Sequence, residues 1–68
     1  MTATCTLSEA LAQASSSQLG KIATRTGIAS SMLRYRWTSE RSTAGVAPWI
    51  RREIGDVLGV EIRGAAGR

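Results

Sequence analysis

Ser30, Ser31, Arg34 and Tyr35 fall within six consecutive positions and offer two hydroxyls, a guanidinium and a phenol. Groups of this kind can recognise planar polar edges. A hydroxyl donates or accepts at a base edge, and an arginine forks onto the O6 and N7 of a guanine. These four are the candidate base-contacting residues, with Arg34 first among them. The alternative for Arg34 is a phosphate contact alone. Tyr35 is open between a thymine methyl, a phosphate and a half-buried place in the core. Met32 is open between gap-filling core and an apolar base contact. Gln18, Lys21, Arg25, Arg36 and Arg41 are the candidate phosphate contacts, which position a protein on a duplex without specifying sequence. Gln18 reads as readily as a solvated side chain, and Arg41 more readily as one.

The charge pattern agrees with a polyanionic partner. The chain carries a net charge of +4, and no acid lies between Glu9 and Glu40, the stretch that holds Lys21, Arg25, Arg34 and Arg36. A field of one sign over one unit favours a polyanion, against the blander reading of a solvated basic surface. Catalysis is not expected. Histidine is absent, so the commonest general base and metal ligand is missing. The single Cys5 builds neither an internal disulfide nor a zinc site. The five acids are scattered and the seven glycines stand singly at turns and ends. No metal, cofactor or small-molecule ligand is expected. No run approaches the roughly 20 apolar residues of a membrane span, and no signal-peptide pattern opens the chain. The expected location is cytoplasmic, at the nucleoid, with Cys5 an inert thiol in a reducing compartment.

The elements that must position these groups lie in residues 19–37, LGKIATRTGIASSMLRYRW. Ile22 and Ala23 belong to one helix and Leu33 to the next, with a turn at Gly27 and Ile28. Gly27 takes the positive φ that ends a helix without a Cβ penalty, and small Ala23 lets the second helix cross closely. This is the spacing of a helix-turn-helix, whose second helix enters a major groove. At Ile22-Ala23, Gly27-Ile28 and Leu33 the chain resembles the helix-turn-helix of phage repressor-like regulators. Thr26-Gly27-Ile28 followed by Leu33-Arg34-Tyr35 resembles the reading helices of MerR-type regulators. Two positions depart from the repressor-like pattern. Ala29 stands where a capping serine is usual, and Arg36 stands where an apolar residue is usual, with Trp37 one position later to take over its packing.

The rest of the chain supports that unit. Thr6 and Glu9 have capping-box spacing, and Leu7, Ala10, Leu11 and Ala14 form an apolar stripe, which predicts a first helix at residues 7–14 packed behind the next two. Ser16 or Ser17 caps a second helix at 18–26, and a third spans 29–37. Residues 38–45, TSERSTAG, read as a loop. Pro48 opens a fourth helix with Trp49, Ile50, Ile54, Val57 and Leu58 on one face, Arg52 and Asp56 spaced to pair, and Gly59 at its end. Leu33, Trp37, Trp49 and Ile54 are expected in the core. The closing IGDVLGV at 54–60 resembles the last helix of phage repressor-like and Ner-like proteins.

The expected fold is therefore all-α, a small four-helix domain containing a helix-turn-helix, with room for a short extended segment over 60–62. Residues 1–5 are expected disordered, 6–63 the domain, and 64–68 a flexible tail. With 68 residues, the core alone supplies about 3–5 kcal/mol. The expected function is a sequence-specific regulator of transcription, a phage- or plasmid-type repressor bound to double-stranded DNA as a homodimer. The alternatives are a winged, DNA-bending protein of excisionase-like or MerR-like type, and an antitoxin- or antirepressor-like module that meets another protein.

Overall fold

Thr6 turns the amino-terminal backbone from extended to helical. In the computed structural model, which describes residues 4–65, its hydroxyl accepts the Glu9 N–H at 3.2 Å and the Glu9 carboxylate accepts the Thr6 N–H at 3.1 Å. Helix α1 follows over Leu7–Gln13 and buries Leu7, Ala10 and Leu11. The same reciprocal cap opens α2, Ser16–Thr26, where Ser15 and Gln18 exchange bonds of 3.2 and 2.9 Å. The cap is thus Ser15 and not Ser16 or Ser17. Gln18 stands three residues after Ser15, so this serine gains both bonds of a capping box.

The third helix departs from the α-helix expected over 29–37. Ser30 and Ser31 are helical, and the backbone then widens into a π-helical segment, Met32–Arg36. The Trp37 N–H closes it on the Met32 carbonyl, five residues back, at 3.1 Å. Trp37, four residues after Leu33, packs with it against the core, while Arg36 stays exposed.

Residues 38–45 are not a loop throughout, nor a hairpin wing. Ser39 and Ser42 cap one another and start the short helix α3, Glu40–Thr43. Helix α4, Pro48–Leu58, begins on its proline and ends at Gly59 with φ +72°. Two short strands, β1 (Thr4–Cys5) and β2 (Glu61–Ile62), pair in parallel, with Thr4 opposite Glu61 and Cys5 opposite Ile62. The Arg63 N–H extends the ladder to the Cys5 carbonyl at 2.9 Å. Thr4 and Cys5 are therefore ordered strand, not part of a disordered terminus. Gly64 and Ala65 are likewise no free tail, since Ala65 is buried and its N–H bonds the Ile62 carbonyl at 3.0 Å. The disorder expected of 1–3 and the flexibility expected of 66–68 lie outside the described residues. The fold is thus that of a small, mostly helical domain, as expected, with five helical segments among the described residues rather than four and a pair of two-residue strands added.

Leu7, Leu19, Ile22, Leu33 and Ile54 meet fully buried at the centre. Helix α1 braces the π-helical segment together with α3 and α4, but its expected packing on α2 and the expected close crossing of α2 by the third helix are not among the principal contacts, because α2 packs chiefly on α4. Trp49 is 52% exposed, not core. Five residues before Ile54, it points well away from the buried side, which Ile50, Val57 and Leu58 share at spacings of three and four. Arg52 and Asp56 do not pair; the ion pair among the described residues joins Arg25 to Glu53 at 3.1 Å, α2 to α4. Arg51 is half-buried and donates to the carbonyls of Thr43, Val46 and Arg63.

Two predictions follow from the packing of the ends. A Cβ at Gly55 would lie 2.7 Å from the Val60 carbonyl oxygen. Gly55→Ala should push β2 off α4 and cost about 1–3 kcal/mol, read as a lower urea midpoint. The Glu9 carboxyl is held below its ordinary 4.5, first by the Thr6 backbone N–H and then by the Thr6 hydroxyl. That contribution is complete above the unfolded value and lost as pH falls through the lower, folded one. A carboxyl NMR titration should place the Glu9 midpoint below 4.5, and Glu9→Gln should flatten the corresponding acid limb of stability against pH.

Candidate nucleic-acid interface

Leu33 is the one buried side chain over residues 29–36. It pins the π-helical segment to the core and leaves every neighbour outward. Ser30, Ser31, Arg34 and Tyr35, the four sequence candidates for base contacts, are all exposed, Tyr35 by 74%. The half-buried alternative for Tyr35 is thereby removed. Met32 is also on the surface, 38% exposed.

The segment presents two flanks, and the candidates divide between them. Ser31, Met32, Tyr35 and Arg36 line one shallow, largely apolar depression together with Ala29. Arg34 turns the other way. Its guanidinium donates to the Ser16 hydroxyl at 2.9 Å, at the amino end of α2. It also borders a second groove with Leu11, Leu19 and Trp37. Arg34 and Tyr35 thus do not share a face, although they are adjacent in sequence. Arg36, expected only as a phosphate contact, instead stands beside Ser31 and Tyr35, and Met32 with it. The i, i+4 spacing of Ser31 with Tyr35 and of Met32 with Arg36 carried that signal in the sequence.

The remaining cations occupy distinct positions. Lys21 is exposed on α2. Arg25, also on α2, is engaged by Glu53, with the two side chains 51% and 36% exposed. A pair this wet contributes a few tenths of a kcal/mol, so it is readily exchanged for another anion. The Gln18 carboxamide oxygen is taken by the Ser15 N–H at 2.9 Å, which leaves its amide hydrogens as donors. Arg41 is exposed on α3.

The turn that sets the angle between α2 and this segment is Gly27, with φ +78° and its N–H bonded to the Ala23 carbonyl at 2.8 Å. The Thr26 hydroxyl fastens both sides of the turn, donating to the Ile22 carbonyl at 2.8 Å and accepting the Ile28 N–H at 3.3 Å.

Among the described residues no three Cys, Asp or Glu side chains gather to hold a metal ion, and no helix is long and apolar enough to cross a membrane. No protein-family model matches the chain, and no curated protein or solved structure is detectably similar to it.

Space around Gly27 is open, since a Cβ there meets nothing within 4 Å. Any cost of substitution is therefore conformational. Gly27→Ala should lower the unfolding free energy by about 1–2 kcal/mol, and Gly27→Asn by less because asparagine tolerates the left-handed region. Paired urea melts check both.

Proposed function

We propose that the chain is a small sequence-specific regulator of transcription that binds double-stranded DNA through the major groove, with residues 30–36 as its reading element. Repression is the mode that suits it, because occupying a site blocks a polymerase without any further domain. The observation that carries the reading is the exposed, acid-free face of Ser31, Met32, Tyr35 and Arg36, anchored from beneath by Leu33.

On this reading Arg36 forks onto a guanine, Ser31 bonds a base edge, and Met32 and Tyr35 lie against thymine methyls. Arg34 and Ser16 receive a phosphate together at the amino end of α2, where free N–H groups favour an anion. Lys21, Arg25 and Arg41 are further phosphate contacts. A single short reading element gives limited affinity, so the protein acts as a homodimer on an inverted repeat, with half-sites about 34 Å apart. A protein partner is the second reading, favoured by the exposed Met32, Tyr35 and Arg36, which are residue types enriched where proteins meet.

Selection of bound sequences from a random duplex pool tests the proposal. The expected product is a palindromic consensus. Arg36→Ala should weaken the consensus by about 1–3 kcal/mol more than random DNA, whereas Arg34→Ala should weaken both alike and lower the salt slope by about one. No enrichment, together with no salt-dependent binding to any duplex, would overturn the reading and give the face to the protein partner.

A further inference from the structure

The outer side of α4 has a pattern that the fold does not use. Pro48, Trp49, Arg52, Asp56 and Gly59 are all exposed there. The tryptophan is 52% exposed, and neither Arg52 nor Asp56 has an ion-pair partner among the described residues. These positions are symmetric about Ile54. Arg52 stands two residues before it and Asp56 two after; Trp49 stands five before it and Gly59 five after.

We infer that this stripe is the self-association surface of the protein, and that its occupant is the α4 helix of a second copy, packed antiparallel about a twofold axis that crosses the stripe level with Ile54. The inference rests on the homodimer in the reading above and assigns its surface. In that register Arg52 faces Asp56 of the second copy and Asp56 faces Arg52, so two opposite-charge pairs form from one sequence. Trp49 faces Gly59, which has no side chain to oppose it and open space where a Cβ would stand. An isologous interface needs this self-complementarity, and a large aromatic against a gap is a usual anchor of one. A stable dimer commonly covers about 800 Å² on each partner, near a fifth of the 4381 Å² surface of this chain. One helix face covers less, so the association is weak and depends on concentration.

Sedimentation velocity of the full chain over a concentration series tests this. The wild type should dimerise, and Arg52→Glu or Asp56→Lys alone should weaken it at least tenfold. An equimolar mixture of those two variants should recover a heterodimer, because each then faces the opposite charge twice. Trp49→Ala should weaken it as much without altering the circular dichroism. A wild type that stays monomeric, unaltered association in both charge variants, or a mixture that forms no heterodimer would overturn the assignment. Binding to a single half-site duplex separates the two ideas. Wild-type half-site binding retained while the surface fails leaves the DNA reading standing; its loss with self-association intact overturns that reading alone.

Discussion

The burial of Leu33 is the constraint on which the arrangement of the surface depends. It is fully buried with Leu7, Leu19, Ile22 and Ile54, and a buried leucine of this kind is worth about 2–5 kcal/mol against alanine. With that side chain fixed and Gly27 setting the entry of the chain, Trp37, four residues on, falls on the same side and packs against the core. The burial of Leu33 also decides what faces outward, Ser31, Tyr35 and Arg36 among them, since it is the one buried side chain over residues 29–36. A core requirement thus selects the chemistry of the surface above it.

The second support is polar. Arg51 gathers the carbonyls of Thr43, Val46 and Arg63 and so joins α3, the connection to α4 and the chain after β2. In a chain this short the core cannot hold every segment, and one guanidinium with several donors satisfies backbone acceptors that would otherwise be left unpaired. Gly64, at φ +87°, lets the backbone pass close against that side chain. Helix α3 is too short to persist by its own propensity. Its Ser39 cap and the Thr43 hydroxyl, which donates to the Ser39 and Glu40 carbonyls, bind it locally, and Arg51 binds it to the rest.

Features governed by neighbours in sequence were legible before the structure. The Thr6–Glu9 box, the left-handed Gly27 and Gly59, Pro48 at the start of its helix and the apolar stripe of α1 each follow from residues within four positions of one another. What was not legible depends on distant partners. Thr4 and Cys5 become a strand only because Glu61 and Ile62 lie beside them, and two residues carry no periodicity. Arg51 reads as surface until the carbonyls that surround it are known. Trp49 was placed inward by residue type, although its angular distance from Ile54 already argued against that. For the candidate interface, the outward direction of Ser30, Ser31, Arg34 and Tyr35 followed from Leu33. So did the separation of Arg34 from Tyr35, since adjacent helical positions point about 100° apart; the Ser16 hydroxyl that holds Arg34 did not.

That separation bears on how the proposed interface holds charge. Arg34 rests at the amino end of α2, where the helix already presents partial positive charge. A guanidinium gains little there from the helix, and the neutral Ser16 hydroxyl supplies only a modest bond. An anion arriving at this corner would meet the guanidinium, the hydroxyl and free N–H groups at once, and would replace a weak arrangement with a charge-assisted one. Arg25 is in a similar position, because its bond to Glu53 is half-exposed and cheaply exchanged. On the proposed reading both cations are therefore held in place by contacts weak enough to give up. Preorganisation of that sort removes part of the entropy cost of ordering long side chains on a backbone, which a single short reading element on so small a domain could not easily meet by contact area alone.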